Sequence, residues 1–111
     1  MRLVILESPF AASATHTVEQ HIEYARACIR DSLGRGEAPI ASHLLYTQPG
    51  ILDDLIPEER QWGIHAGLAW KRVAEYQVFY TDLGWSRGMN YGRDYALDHN
   101  LKFEERQIGW P

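Results

Sequence analysis

Tyr76-Gln77-Val78-Phe79-Tyr80-Thr81 runs into Asp82-Leu83-Gly84-Trp85 and then into Ser86-Arg87-Gly88-Met89. The first six residues are β-branched and aromatic enough for a buried strand, Gly84 lets the chain turn, and Ser86 is of a type that caps free helical amides. A strand, a turn and a helix start in that order aim unpaired amides, and the positive end of the helix dipole, at the space above the strand end. That geometry favours a phosphate or carboxylate. Gly84, Ser86, Arg87, Gly88 and Met89 are therefore candidate binding residues, and Asp82, at the strand end, is a candidate for chemistry.

Around this unit, short apolar runs alternate with helical patterns, which predicts a parallel sheet with crossover helices and four strands. Leu3 to Leu6 is the first strand. Thr17 and Gln20 then offer a capping box for a helix with Val18, Ile22, Ala25 and Ile29 on its apolar face, stopped by Gly34 and Gly36. Ala38 to Ser42 is the second strand, and a long loop from His43 to Ile56 follows, holding Pro49, Gly50, Asp53 and Asp54. Loops of that length usually carry function. Pro57 at the first helical position, with Glu58 and Glu59 in the first turn, starts a second helix whose inner face is expected at Trp62, Ala66, Ala69, Trp70 and Val73. Lys102 to Ile108 reads as a last, edge strand after a helix end marked by His99 and Asn100.

The 111 residues amount to one domain, long enough to bury a core without disulfides or a structural metal. A net charge of −4 with scattered arginines leaves no basic stripe, so duplex DNA or RNA is not an expected partner. The single cysteine, Cys28, has no internal partner, and the start Met-Arg-Leu-Val-Ile-Leu reads as a strand, too short for a signal peptide; a cytoplasmic setting is expected. No apolar run approaches the ~20 residues that cross a bilayer, so no membrane is expected. The histidines at 16, 21, 65 and 99 have no metal-ligand spacing, and the dinucleotide, phosphate-loop, Cys-x-x-Cys and Gly-x-Ser-x-Gly signatures are missing; neither metal nor cofactor is expected.

With right-handed crossovers, the loops leaving the first three strands share one edge of the sheet, where ligands of such folds bind at a switch in strand order. The residues delivered there are Ser8, Pro9 and Phe10, then Ser42, His43 and the Tyr46-Thr47-Gln48 loop, then Asp82 through Met89. They suit a small anionic ligand with a flat ring. Each also has a plainer reading: Ser86 as an ordinary cap, Asp82 as a turn former, Pro9 and Phe10 as turn and core cover, His43 as a structural histidine.

Glu7-Ser8-Pro9-Phe10, together with Ser86-Arg87-Gly88-Met89 and Tyr95-Ala96, resembles the nucleoside 2-deoxyribosyltransferase superfamily, in particular its small phage and bacterial branch, over nearly the whole chain. The resemblance implies a flavodoxin-like three-layer fold with a mainly parallel four-stranded sheet. It further implies a first loop that approaches base and sugar, and a serine-glycine turn that approaches a 5′ hydroxyl or phosphate. It also implies a glutamate, about one turn into the third helix, that attacks the anomeric carbon. Three residues after Met89, where that glutamate belongs, the chain has Gly92. Glycine neither stabilises an oxocarbenium-like centre nor protonates a leaving base. Replacement carboxylates are Asp82, the best placed, then Asp53, Asp54, Glu7 and Glu59; Asp94, about 200° around the helix from Gly92, faces elsewhere.

Gly63 and Gly67 cost their helix about 1 kcal/mol each relative to alanine, so close packing is expected there. Helix packing is the first explanation, and a subunit interface beside Trp62 and Trp70 is a version of it, so a homodimer or higher homo-oligomer is expected. Two functions follow. One is cleavage or transfer of the N-glycosidic bond of a deoxynucleoside or its monophosphate; the other is a non-catalytic protein that binds, sequesters or senses such a ligand.

Overall fold

A computed structural model describes all residues, Met1–Pro111. The chain runs β1 (Arg2–Glu7), α1 (Val18–Gly34), β2 (Glu37–Ile40), α2 (Ser42–Leu45), α3 (Pro57–Lys71), β3 (Tyr76–Tyr80), α4 (Arg87–Asp98) and β4 (Phe103–Arg106). All neighbouring strands pair in parallel, in the order β2-β1-β3-β4. This is the flavodoxin-like α/β arrangement, with β4 at one edge as expected. In that order the topological switch lies between β1 and β3, where crossovers leave in opposite directions.

Alternation along the strands separates the two faces. Val4, Leu6, Val78 and Tyr80 pack with Tyr24 and Cys28 of α1 in one buried cluster. Ile5, Gln77 and Phe79 point the other way, toward α3 and α4, where Met89, Gly92 and Ala96 are buried. Burial pushes the Cys28 thiol up to about 12, which makes it a packing residue rather than a nucleophile.

The caps are as the sequence predicts. Thr17 and Gln20 form a complete capping box, Pro57 is at the first helical position of α3, and the Ser86 side chain accepts from the Met89 amide. Gly84 has a φ of 85°, the left-handed conformation that glycine adopts without strain.

Two helix faces differ from expectation. α1 buries His21, Tyr24, Ala25, Cys28 and Ser32, whereas Val18, Ile22 and Ile29 are only half-buried. α3 turns Gly67 and Lys71 inward and leaves Trp62 68% exposed, with Ala69 and Trp70 also on the outside; Val73 lies just past its end and is 63% exposed. The glycines explain the rotation. A β-carbon on Gly67 would come within 2.7 Å of Ser42 Oγ, and one on Gly63 within 3.4 Å of Leu52, so this small-residue stripe is where α2 and the loop after it seat. The long loop is also shorter than expected, since its first residues form α2.

Opposite edges of the sheet are tied by a buried charge cluster. Arg106 donates through Nη1 and Nη2 to Glu37 Oε1 and Oε2 at 2.7 and 2.5 Å. Ser32 and Tyr76 donate to the same carboxylate, and Arg106 also donates to Tyr80 Oη. The guanidinium, with the two hydroxyls, holds the Glu37 carboxyl down to about 2.

Candidate functional site

The parallel sheet brings Glu7, Ile40 and Tyr80 to one edge, so the segments 8–17, 41–56 and 81–86 leave from a common rim. Ser8 and Pro9 are buried directly above β1. Ser8 Oγ is 2.9 Å from His43 Nε2, which joins the first loop to α2. Burial lowers the His43 pKa to about 4, so the ring is neutral at pH 7. Phe10 is fixed through its carbonyl, which accepts from His21 Nδ1 at 3.2 Å. Its side of the loop and the segment 47–59 enclose an open cleft of about 670 Å³, lined by Phe10, Thr47, Leu52, Asp53 and Glu59 among others.

The acidic candidates in that segment have structural work of their own. Asp53 Oδ1 accepts from the Leu55 amide, Glu59 Oε1 accepts from the Asp53 amide, and Asp54 pairs with Arg60 at 2.9 Å. Asp94 is exposed, as its angle around the helix predicts.

Asp82, the preferred replacement carboxylate in the sequence, is fully committed. Its Oδ1 accepts from Tyr24 Oη at 2.6 Å, and its two oxygens accept from the amides of Ile108, Gly109 and Trp110 at 2.9–3.1 Å. Burial alone would raise its pKa, but the Tyr24 hydroxyl and the three amides more than offset that and leave it lowered. Asp82 thus clamps the C-terminal tail against α1, where Trp110 lies 5.8 Å from the Tyr24 ring. With both oxygens turned to the tail it has none to offer a ligand on the α4 side.

Glu7 is on that side. Its Oε1 is 2.9 Å from Lys71 Nζ at the end of α3, and its Oε2 is buried with no hydrogen-bond partner. α4 crosses directly over the pair at Gly92. A β-carbon there would overlap Glu7 Oε2 and come within 2.9 Å of both Glu7 Cδ and Lys71 Nζ. The Glu7 carboxylate therefore occupies the space into which a side chain at position 92 would grow. Burial raises the Glu7 pKa, opposed by the charge and hydrogen bond of Lys71.

The helix tip is accessible: Arg87 and Gly88 are exposed, and Ser86 is half-buried. Ser86 Oγ accepts one amide hydrogen and keeps its own hydroxyl proton to donate. Ser86 and Gly92 are six residues apart, so the helix turn that covers Glu7 lies about 9 Å along the axis from the tip. Sequence reasoning overlooked Lys71, which looks like an ordinary basic residue at a helix end, and placed Glu7 behind Asp82. The available signal was Gly92 itself, since a glycine inside a helix marks a close approach.

No helix is long and apolar enough to cross a membrane. Residues 2–106 match the model of a family described as a domain of unknown function, DUF7768. No curated protein and no solved structure matches the chain.

Proposed function

The chain belongs to the DUF7768 family, and from that premise we propose that its rim binds a deoxynucleoside or its monophosphate and breaks the N-glycosidic bond, with Glu7 as the reacting carboxylate. The observation that carries this reading is the exchange between Glu7 and Gly92. The resemblance calls for a carboxylate on α4 at position 92; the chain has glycine there and a buried glutamate in the vacated space.

In this reading Ser86 and the exposed amides beyond it hold the phosphate or 5′ oxygen, and Phe10 flanks the base. A Glu7 oxygen bonds to the anomeric carbon as the carbon–nitrogen bond breaks and its electron pair leaves with the base. The base takes a proton from water, and water or a second base then displaces Glu7. The exposed Trp62 and Trp70 on α3 support self-association. A cytoplasmic protein fits this chemistry.

A non-catalytic nucleotide-binding protein is the second reading. It is favoured by the commitment of Glu7 Oε1 to Lys71 and by the cover over Oε2. Incubating the protein with a panel of deoxynucleosides and monophosphates, and measuring melting shift and free base, separates the two. Base release by the native chain and its loss in Glu7→Gln, with the melting shift retained, is the expected result. Melting shift without base release establishes the second reading, and a panel silent in both measurements overturns both.

A further inference from the structure

Lys71 is out of place by the usual rules for a helix end. Its side chain is 4% exposed, although lysine at a C-terminal turn ordinarily extends into water while only its stem is covered. Two elements hold it there: β1 supplies Glu7, and α4 supplies the bare backbone at Gly92 and the Tyr95 ring, which lies 5.6 Å from Nζ. Burying an ammonium and a carboxylate together is costly, and apolar residues of the same volume often leave a fold equally or more stable. A buried pair at the rim, with one oxygen left unbonded, is poorly explained by stability alone.

We propose that Lys71 is the positioning residue of this site, binding Oε1 of Glu7 so that the carboxyl group is held at the end of β1 with Oε2 uncommitted beneath Gly92. This rests on the reading of Glu7 given above. Of the groups that face Glu7, Lys71 comes from α3 and Tyr95, through Lys71, from α4. His43 comes from α2 through its bond to Ser8, and is neutral at pH 7. β3 contributes the uncharged Gln77 and Phe79 on this face. Lys71 is thus the only cation in the group. Without it the effect of burial on Glu7 is unopposed, and the carboxyl takes up its proton at higher pH.

The test uses the whole chain with labelled glutamate carboxyl carbons, the Glu7 signal being assigned by its loss in Glu7→Gln. In Lys71→Met the Glu7 midpoint is expected to rise by about one pH unit or more, and in Lys71→Arg to stay near the native value. The acid limb of base release should move by the same amount, giving about a tenfold loss below the new midpoint and recovery above it. A purely structural lysine would lower the rate at all pH values without moving the limb.

If Lys71→Met does not fold, a second variant decides. In Lys71→Gln, which keeps a polar donor but no charge beside Glu7 Oε1, the Glu7 midpoint should also rise. An unmoved Glu7 midpoint in folded Lys71→Met or Lys71→Gln overturns the proposal. Because both titrations are read without substrate, a native chain that releases no base would refute the glycosidic reading while leaving the role of Lys71 decided by the midpoints.

Discussion

Glu7 and Gly92 exclude one another: the carboxylate at the end of β1 lies where any β-carbon on residue 92 would have to sit. Gly92→Ala should therefore cost about 1–3 kcal/mol by overpacking, although alanine is otherwise favoured by about 1 kcal/mol inside a helix. In the Glu7→Gly background the same substitution should be neutral or stabilising. A double-mutant cycle in urea should give a coupling of more than about 1 kcal/mol; additive effects would show that the two positions do not compete for space. The paired change Glu7→Gly with Gly92→Glu moves the carboxylate to the helix, and should recover base release lost in Glu7→Gly alone.

Asp82 should behave as a clamp and not as a catalyst. Asp82→Asn keeps the shape but removes the charge that accepts from Tyr24 and three tail amides, and should destabilise by roughly 2–4 kcal/mol. Trp110 fluorescence and proteolysis of the last residues should report a loosened tail. Ligand-induced melting shift should survive at temperatures where Asp82→Asn is folded. A variant with native stability and a lost ligand response would return Asp82 to the site.

How much of this was readable in the residues depends on how far apart the partners are in the chain. The strands, the caps and the shared rim follow from local patterns: β-branched runs, Thr17 with Gln20, Pro57, Ser86 after Gly84. The Tyr24–Asp82 and Glu37–Arg106 pairs span 58 and 69 residues, and no local pattern announces them. The α3 face was misread because tryptophan counts heavily in any apolar pattern and glycine not at all, while packing selected the glycine stripe. Gly92 read as a missing nucleophile because its own space, already filled from β1, is visible only in three dimensions.

The two glycines of α3 should separate by what lies above them. Gly63→Ala meets only Leu52, at ordinary contact distance, and should stabilise by up to about 1 kcal/mol through helix propensity. Gly67→Ala presses on Ser42 Oγ and should lose that gain or destabilise; adding Ser42→Ala should recover it. Thermal melts of the four variants check both expectations, and equal gains at 63 and 67 would mean that α2 does not seat where described.

Acid should unfold the protein in two windows with separate causes. The folded pKa of His43, about 4, lies below the ~6.5 of an unfolded histidine, so the native state resists its protonation. The stability this group contributes is complete above ~6.5 and falls as pH drops from there toward 4. Glu37 has a folded pKa of about 2 against ~4.3 unfolded, so its contribution is complete above ~4.3 and is lost as pH falls toward 2. The full contribution of Glu37 corresponds to about 3 kcal/mol. His43→Gln should flatten the melting-temperature profile between pH 6.5 and 4 and leave the lower window unchanged. Glu37→Gln should lower stability at neutral pH, because Arg106 loses its buried partner, and should flatten the profile below about pH 4. A Glu37→Gln protein that still loses stability steeply between pH 4 and 2 would assign that window to other carboxylates.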